Sequence, residues 1–226
     1  MKSAAAPLSF SDSYRHRGQR RALVRELRQK GITDERVLAA LATVPRHLFF
    51  EPAFEAHAYQ DKAFPIGEGQ TISQPYTVAF QTQLLDLAPG HSVLEVGTGS
   101  GYQSAVLLQL AARVSSIEIS PVLFQRTREL LARLGLGGAA LYCGDGSLGL
   151  PERAPFDRIL VTAGAPALPS TLLRQLSIGG RLVIPVGDAR LQRMVRVTRE
   201  GQESFVREEF SDFRFVPLRG AEGWQE

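Results

Sequence analysis

The sequence predicts an α/β fold: a doubly wound, mostly parallel sheet with helices on both faces, an antiparallel C-terminal edge and an N-terminal helical extension. Three observations predict it. From about residue 75, short apolar runs alternate with stretches of helical period, the pattern of strands joined by crossover helices. A glycine-rich turn, Gly97-Thr-Gly99-Ser-Gly101, stands where the first of those strands meets its helix. Near the end of the chain, strand-like runs follow one another with no helix between them, which implies an antiparallel edge. The parallel part is therefore Rossmann-like.

The elements are read in order. Residues 1–13 are small and polar, and two helices follow. The second begins after Thr33, read as its N-cap, with Asp34 and Glu35 in the first turn. Val37, Leu38, Leu41 and Val44 share one face, and Pro45 ends the pattern. Residues 46–74 read as irregular. A helix at about 75–87 precedes the apolar strand Ser92–Val96, and a helix at about 102–112 follows the glycine turn. Strand Val114–Ile119 leads into Ser120-Pro121, a cap with proline at the first helical position. Leu123, Thr127, Leu130, Leu131 and Leu134 form the buried face of that helix, which Gly135 stops. Further strands are expected near 139–143, 157–162, 181–186, 193–199, 204–210 and 213–218.

Composition narrows the class. Of 226 residues, 44% are hydrophobic and 22% charged, ordinary for a globular protein. Cys143 is the single cysteine, so no intrachain disulfide can form. No apolar run approaches the ~18 residues of a membrane span. The start of the chain lacks a signal-peptide pattern, so a cytoplasmic protein without membrane contact is expected. The net charge is +3. The excess gathers in Arg15, Arg17, Arg20, Arg21, Arg25, Arg28 and Lys30, opposed by Glu26 alone. This run reads as the solvated face of an amphipathic helix with Leu23 and Leu27 turned inward. No interleaved aromatics accompany it, so no nucleic-acid partner is expected, and the chain is expected to be a monomer.

The glycine spacing separates two ligand classes. Dinucleotide binders use G-x-G-x-x-G. Here the third glycine comes one residue early, at Gly101, and Tyr102 takes the dinucleotide position. No lysine followed by Ser or Thr comes after it, so the turn is not a P-loop. Glu118 ends the second strand, where a carboxylate can accept both ribose hydroxyls. Gly144-Asp145-Gly146 ends the third, where Asp145 can accept an exocyclic adenine amine. These strand ends describe a nucleoside pocket that needs no diphosphate. The combination resembles the class I S-adenosylmethionine methyltransferases. That resemblance implies S-adenosylmethionine as cofactor, held by Glu95, Gly97, Gly99, Glu118, Asp145 and Gly146, with Glu95 near the methionine end.

A second stretch is more specific: Pro65-Ile-Gly-Glu-Gly-Gln-Thr-Ile-Ser-Gln-Pro75. With Val44-Pro-Arg46, Thr98–Tyr102, Ala154–Asp157, Val161–Ala163, Val183–Gly187 and Phe215–Leu218, it resembles the protein-L-isoaspartate O-methyltransferase family over roughly residues 20–219. Phe64 departs from a leucine common there. The resemblance implies methyl transfer to the free α-carboxylate of L-isoaspartyl residues in damaged proteins and peptides, the first step of repair. It implies Ser73 as the active-site residue, with Thr71 and Gln74 beside it on the cofactor side. Residues 1–74 then form the helical extension and substrate loop, and 75–226 the cofactor-binding domain, in one compact unit.

Such chemistry suits short polar side chains. A sulfonium methyl is already activated and a carboxylate is already a nucleophile, so no general base is required. Positioning then carries catalysis. Ser73 has a second reading, because Ser-Gln-Pro ahead of an apolar helix is an N-cap signature. The two roles are compatible, since a helix N-terminus attracts a carboxylate. His16, His47, His57 and His91 are scattered and read as structural or surface, and no metal site is expected. Cys143 reads as packing, and Trp224 has no assigned role. Competing readings are a methyltransferase of RNA or small molecules, an NAD-dependent oxidoreductase opposed by the glycine spacing, and a non-catalytic module that keeps the cofactor fold.

Overall fold

The computed structural model describes residues 12–110 and 113–225. Most of the N-terminal polar stretch and the last two residues of the helix expected at 102–112 lie outside the described residues.

Helices α1 (Tyr14–Gln29) and α2 (Glu35–Thr43) are followed by strands β1 (Phe64–Gly67) and β2 (Gln70–Ile72) and helix α3 (Pro75–Leu85). The alternating part comprises β3 (Ser92–Val96), α4 (Tyr102–Gln109), β4 (Arg113–Glu118), α5 (Pro121–Arg133), β5 (Ala140–Cys143), β6 (Phe156–Val161), α6 (Ser170–Arg174) and β7 (Leu176–Gly187). It closes with β8 (Gln192–Arg199) and β9 (Phe205–Phe213). The large sheet has the order β5-β4-β3-β6-β7-β8-β9. Strand β3 pairs in parallel with both β4 and β6. The chain first runs outward through β4 and β5, then returns to the other side of β3. That reversal opens a crevice beyond the carboxyl ends of the central strands.

The sequence chemistry explains these elements. Strands β3 and β6 are buried along nearly their whole length, as parallel strands covered on both faces must be. Strands β7, β8 and β9 pair antiparallel, and the outermost, β9, has no buried residue. Helix α5 starts as expected, with Ser120 Oγ accepting the Leu123 amide at 3.3 Å. The apolar faces of α1 and α2 join those of α3, α4 and α5 in one cluster that includes Leu27, Leu41, Ile72, Val78 and Val106. The helical extension thus packs directly on the layer that carries the glycine turn.

Four local expectations are corrected. Asp34, not Thr33, caps α2: its carboxylate accepts the amides of Arg36 at 2.9 Å and Val37 at 3.4 Å. The Thr33 amide instead donates to Gln83 Oε1 at 2.7 Å. Residues 64–72 are not irregular but form the β1–β2 hairpin, turned by Glu68 at φ 52° and Gly69 at φ 66°. Two successive positive φ values match the strand twist, and Glu-Gly supplies them less conspicuously than Asn-Gly does. No separate strand runs over 213–218; β9 ends at Phe213, and Val216 and Leu218 bond Gly164 beyond the end of β6. Finally, Ser73 does not cap α3. The cap position is Gln74, and the carboxylate that receives a first-turn amide is remote: Asp61 Oδ1 accepts Tyr76 N at 2.7 Å.

The cap assignment has a measurable consequence. Asp34→Ala should lower stability by about 1 kcal/mol and Thr33→Ala by less, as read by denaturant unfolding. Equal losses would return the cap to Thr33.

Candidate active site

The crevice is a cleft at the carboxyl ends of β3, β4 and β6, enclosing about 800 Å³ with its open mouth included. Its walls include Ile72, Val78, Val96, Ile117 and Ala163, apolar surface on which a few polar groups stand out. Six of the nine residues expected in the site line it: Thr71, Ser73, Gly97, Gly99, Glu118 and Gly146.

The glycine turn is fixed by space as well as torsion. Gly97 has φ 96°, and a Cβ there would lie 2.4 Å from Thr162 Oγ1. Thr162 in turn donates to the carbonyls of Val96 at 3.0 Å and Gly97 at 2.8 Å, locking the end of β6 to the turn. At Gly146, a Cβ would meet Val96 Cγ1 at 2.6 Å, so the third strand's end can lie against the cleft only without a side chain. Glu118 is buried and accepts two main-chain amides, Gly99 N at 2.8 Å and Ser120 N at 2.9 Å. Each oxygen keeps lone-pair capacity, so a carboxylate on the cleft wall remains available to vicinal hydroxyls.

The other three expected residues lie elsewhere. Glu95 is fully buried behind the turn, with Oε2 accepting the Ser104 hydroxyl and Oε1 unpartnered. Burial pushes its carboxyl up to about 7, while the Ser104 hydroxyl pulls it down. Asp145 turns away from the cleft: Oδ1 accepts Ser147 N at 2.9 Å and Ser147 Oγ at 2.7 Å, and Oδ2 accepts Ala221 N at 2.7 Å. Gln74 gives its Nε2 to Asp61 at 3.0 Å and lines a neighbouring cavity instead.

That neighbouring cavity, about 1090 Å³, shares Thr71, Ser73, Thr162 and Val216 with the cleft. Ser73 therefore stands where the two meet. Its carbonyl accepts Arg46 Nη2 at 2.8 Å, and its hydroxyl has no hydrogen-bond partner among the described residues. Arg46 is fully buried, also donates Nε to Ala58 O at 2.9 Å, and lies 4.6 Å over the Tyr102 ring.

Several contributors were not foreseen. Val216, Pro217 and Leu218 wall the cleft because the segment after β9 pairs with Gly164. Trp224 closes that segment by donating its indole N–H to Gly164 O at 3.0 Å. Gln103 lines the cleft one residue into α4, a polar residue beside Ser104 at the start of that helix. The histidines are less scattered than expected. The rings of His16 and His47 lie 3.8 Å apart, and with Asp12 they bring metal-ligating atoms within 4.8 Å of one another. The Asp12 carboxylate is already held by both Arg20 terminal nitrogens, at 3.0 and 2.9 Å. No described helix is long and apolar enough to cross a membrane.

A switch-point cleft with an early third glycine and a strand-end carboxylate defines the class: an S-adenosylmethionine-dependent methyltransferase of class I architecture. A model of the protein-L-isoaspartate(D-aspartate) O-methyltransferase family matches residues 18–223, and the chain belongs to that family. The protein-L-isoaspartate O-methyltransferase of Cytophaga hutchinsonii is 58% identical over 215 residues, 95% of this chain and 97% of that one. That of Christiangramia forsetii is 56% identical over 209 residues, 92% of this chain and 98% of that one. A solved protein-L-isoaspartate O-methyltransferase superposes with TM-score 0.79 at 30% identity, covering 90% of this chain and 66% of that one. A Plasmodium falciparum structure of the same description, in complex with S-adenosyl-L-homocysteine, superposes with TM-score 0.77 at 25% identity, covering 88% and 98%.

Two predictions follow from the site's carboxylates. Glu118→Gln should fold yet bind S-adenosylmethionine about 1–3 kcal/mol more weakly, because one acceptor becomes a donor facing hydroxyls or amides; unchanged affinity by calorimetry would remove Glu118 from the site. Glu95 ionises near 4.5 in the unfolded chain and near 7 in the folded one. Its contribution to stability is therefore full below pH 4.5 and is lost as pH rises towards 7, by on the order of 3 kcal/mol. Melting temperatures from pH 5 to 8 should fall less steeply in Glu95→Gln than in the parent; parallel curves would show that Glu95 stays ionised.

Proposed function

We propose that this chain transfers the methyl group of S-adenosylmethionine to the free α-carboxylate of L-isoaspartyl residues in damaged proteins and peptides, with Ser73 orienting that carboxylate. The observation that carries the reading is Ser73 itself, whose hydroxyl is uncommitted at the junction of the cofactor cleft and the adjoining cavity. The family's substrate, named in the relatives at more than half identity, could enter by the cavity that adjoins the cofactor cleft at Ser73.

Bound S-adenosylmethionine supplies an activated methyl on sulfur. As the carboxylate oxygen–carbon bond forms, the carbon–sulfur bond breaks, so the positive charge on sulfur and the negative charge on the carboxylate both disappear. No proton moves, and no side chain need act as a base. In this reading Glu118, Gly97, Gly99 and Gly146 hold the nucleoside, Thr71 contributes to the cleft wall, and Ser73 donates its hydroxyl to the incoming carboxylate. Glu95, Asp145 and Gln74 support these groups from behind. We expect residues 1–74 and 75–226 to act as one unit, a monomer of the cytoplasm that needs no nucleic acid. Weak association of nucleic acid with the basic face of α1 would fade as salt rises.

The test pairs isoaspartyl and aspartyl peptides with the parent and two variants. Only the isoaspartyl peptide should be methylated by the parent. Since Ser73 is not a cap, Ser73→Ala should leave stability nearly unchanged and lower turnover. Ser73→Asp should fold and bind cofactor, yet nearly abolish methyl transfer, because like charges repel strongly where water is scarce. Near-normal turnover in Ser73→Asp would move the substrate contact to Thr71 or the backbone, and methylation of both peptides alike would overturn the substrate assignment.

A further inference from the structure

Among the described residues, four buried side-chain atoms lack a hydrogen-bond partner: Arg46 Nη1, Glu95 Oε1, Tyr102 Oη and Gln103 Oε1. All four gather around the start of α4, although a native fold leaves few such atoms anywhere. Of the two that belong to cleft-lining residues, Tyr102 offers a hydroxyl that can donate or accept, and so selects nothing. Gln103 is different, because its neighbours fix which end of its amide is left without a partner.

Thr82 Oγ1 donates its single proton to the Val78 carbonyl at 2.7 Å. Its oxygen can then only accept, and it accepts Gln103 Nε2 at 3.0 Å. The NH₂ end of the amide is thereby committed to α3, and Oε1 is left as a pure acceptor on a residue only 7% exposed. A buried, oriented acceptor without a donor is costly unless a ligand supplies one. In the same cleft, Glu118 lies on the β4 side, away from α3. A ribose held at Glu118 directs the rest of the cofactor across the glycine turn towards α3 and α4. The donor that the cofactor carries at that end is the α-ammonium of its methionyl part. We propose that Gln103 Oε1 accepts a hydrogen bond from this ammonium, and that the Val78–Thr82–Gln103 relay orients it to do so.

This assignment concerns cofactor binding alone and does not depend on which carboxylate is methylated. Calorimetry with two ligands tests it: S-adenosylhomocysteine, which has the amino-acid end, and methylthioadenosine, which has the same nucleoside thioether without it. Gln103→Leu should weaken S-adenosylhomocysteine by roughly ten- to hundred-fold, the range for a charge-assisted hydrogen bond, and leave methylthioadenosine within about two-fold. Gln103→Glu keeps an acceptor of nearly the same shape and covers the case in which leucine unsettles the site; it should hold or tighten S-adenosylhomocysteine while leaving methylthioadenosine unchanged. Parallel loss of both ligands in either variant, or no change in Gln103→Leu, would overturn the inference. Failure of the parent protein to bind either ligand would overturn the cofactor assignment and this inference with it.

Discussion

A buried cation with no ion-paired carboxylate among the described residues ties the loop of Ser73 to the start of α4. Arg46 is fully buried, and desolvation lowers its guanidinium to about 10, so it stays charged at neutral pH. Removing such a charge from water is expensive, and here the direct contacts that compensate are carbonyls and ring faces, with the charge of Asp61 acting from further off. One arm reaches Ala58 O and another Ser73 O, while the plane lies over Tyr102 at 4.6 Å and near Phe50 at 5.2 Å. Those contacts join the segment after α2, the loop that carries Ser73 and the first residue of α4. The loop that carries Ser73 and the end of the glycine turn are therefore registered against one another through one side chain.

Asp61 completes the arrangement from the other side of the loop. Its carboxylate receives the Tyr76 amide at 2.7 Å, Gln74 Nε2 at 3.0 Å and Lys30 Nζ at 2.7 Å. A remote acid thus takes over the capping that Ser73 is placed in sequence to perform. The serine hydroxyl is released from structural duty, and the residue is positioned through its carbonyl. The fold uses the carbonyl of Ser73 and not its hydroxyl, so a change of this side chain leaves the helix start in place.

The cleft is organised by how its polar atoms are committed before any ligand arrives. Glu118 is held by two amides and keeps capacity to accept more. Gln103 is held by one threonine, which leaves its Oε1 as a buried acceptor without a partner. Oriented groups of this kind need no rearrangement when the cofactor enters, and preorganisation of that sort carries positional catalysis. The C-terminal segment is tied down beside the cleft, with Glu222 bonded to Thr171 and Ser147, and Trp224 against Gly164.

The sequence by itself determined the alternation of strands and helices, the glycine turn, Glu118 at a strand end and the loop that carries Ser73. Each is a local property: apolar periodicity, glycine spacing, or a residue's distance from an element's end. Only the tertiary structure decided which atoms of those residues face the cleft. Asp145 and Glu95 stand at the expected chain positions, yet one is taken by the amide of Ala221 and the other is buried behind the turn. Gln103, Arg46 and Asp61 act through hydrogen-bond partners 12 to 31 positions away, among them the 21-residue Gln103–Thr82 and 27-residue Arg46–Ser73 links. The meeting of His16 with His47 is equally invisible to spacing. Periodicity encodes which face of an element is apolar, whereas the direction of a hydrogen bond depends on what the fold brings opposite, and no local pattern carries that information.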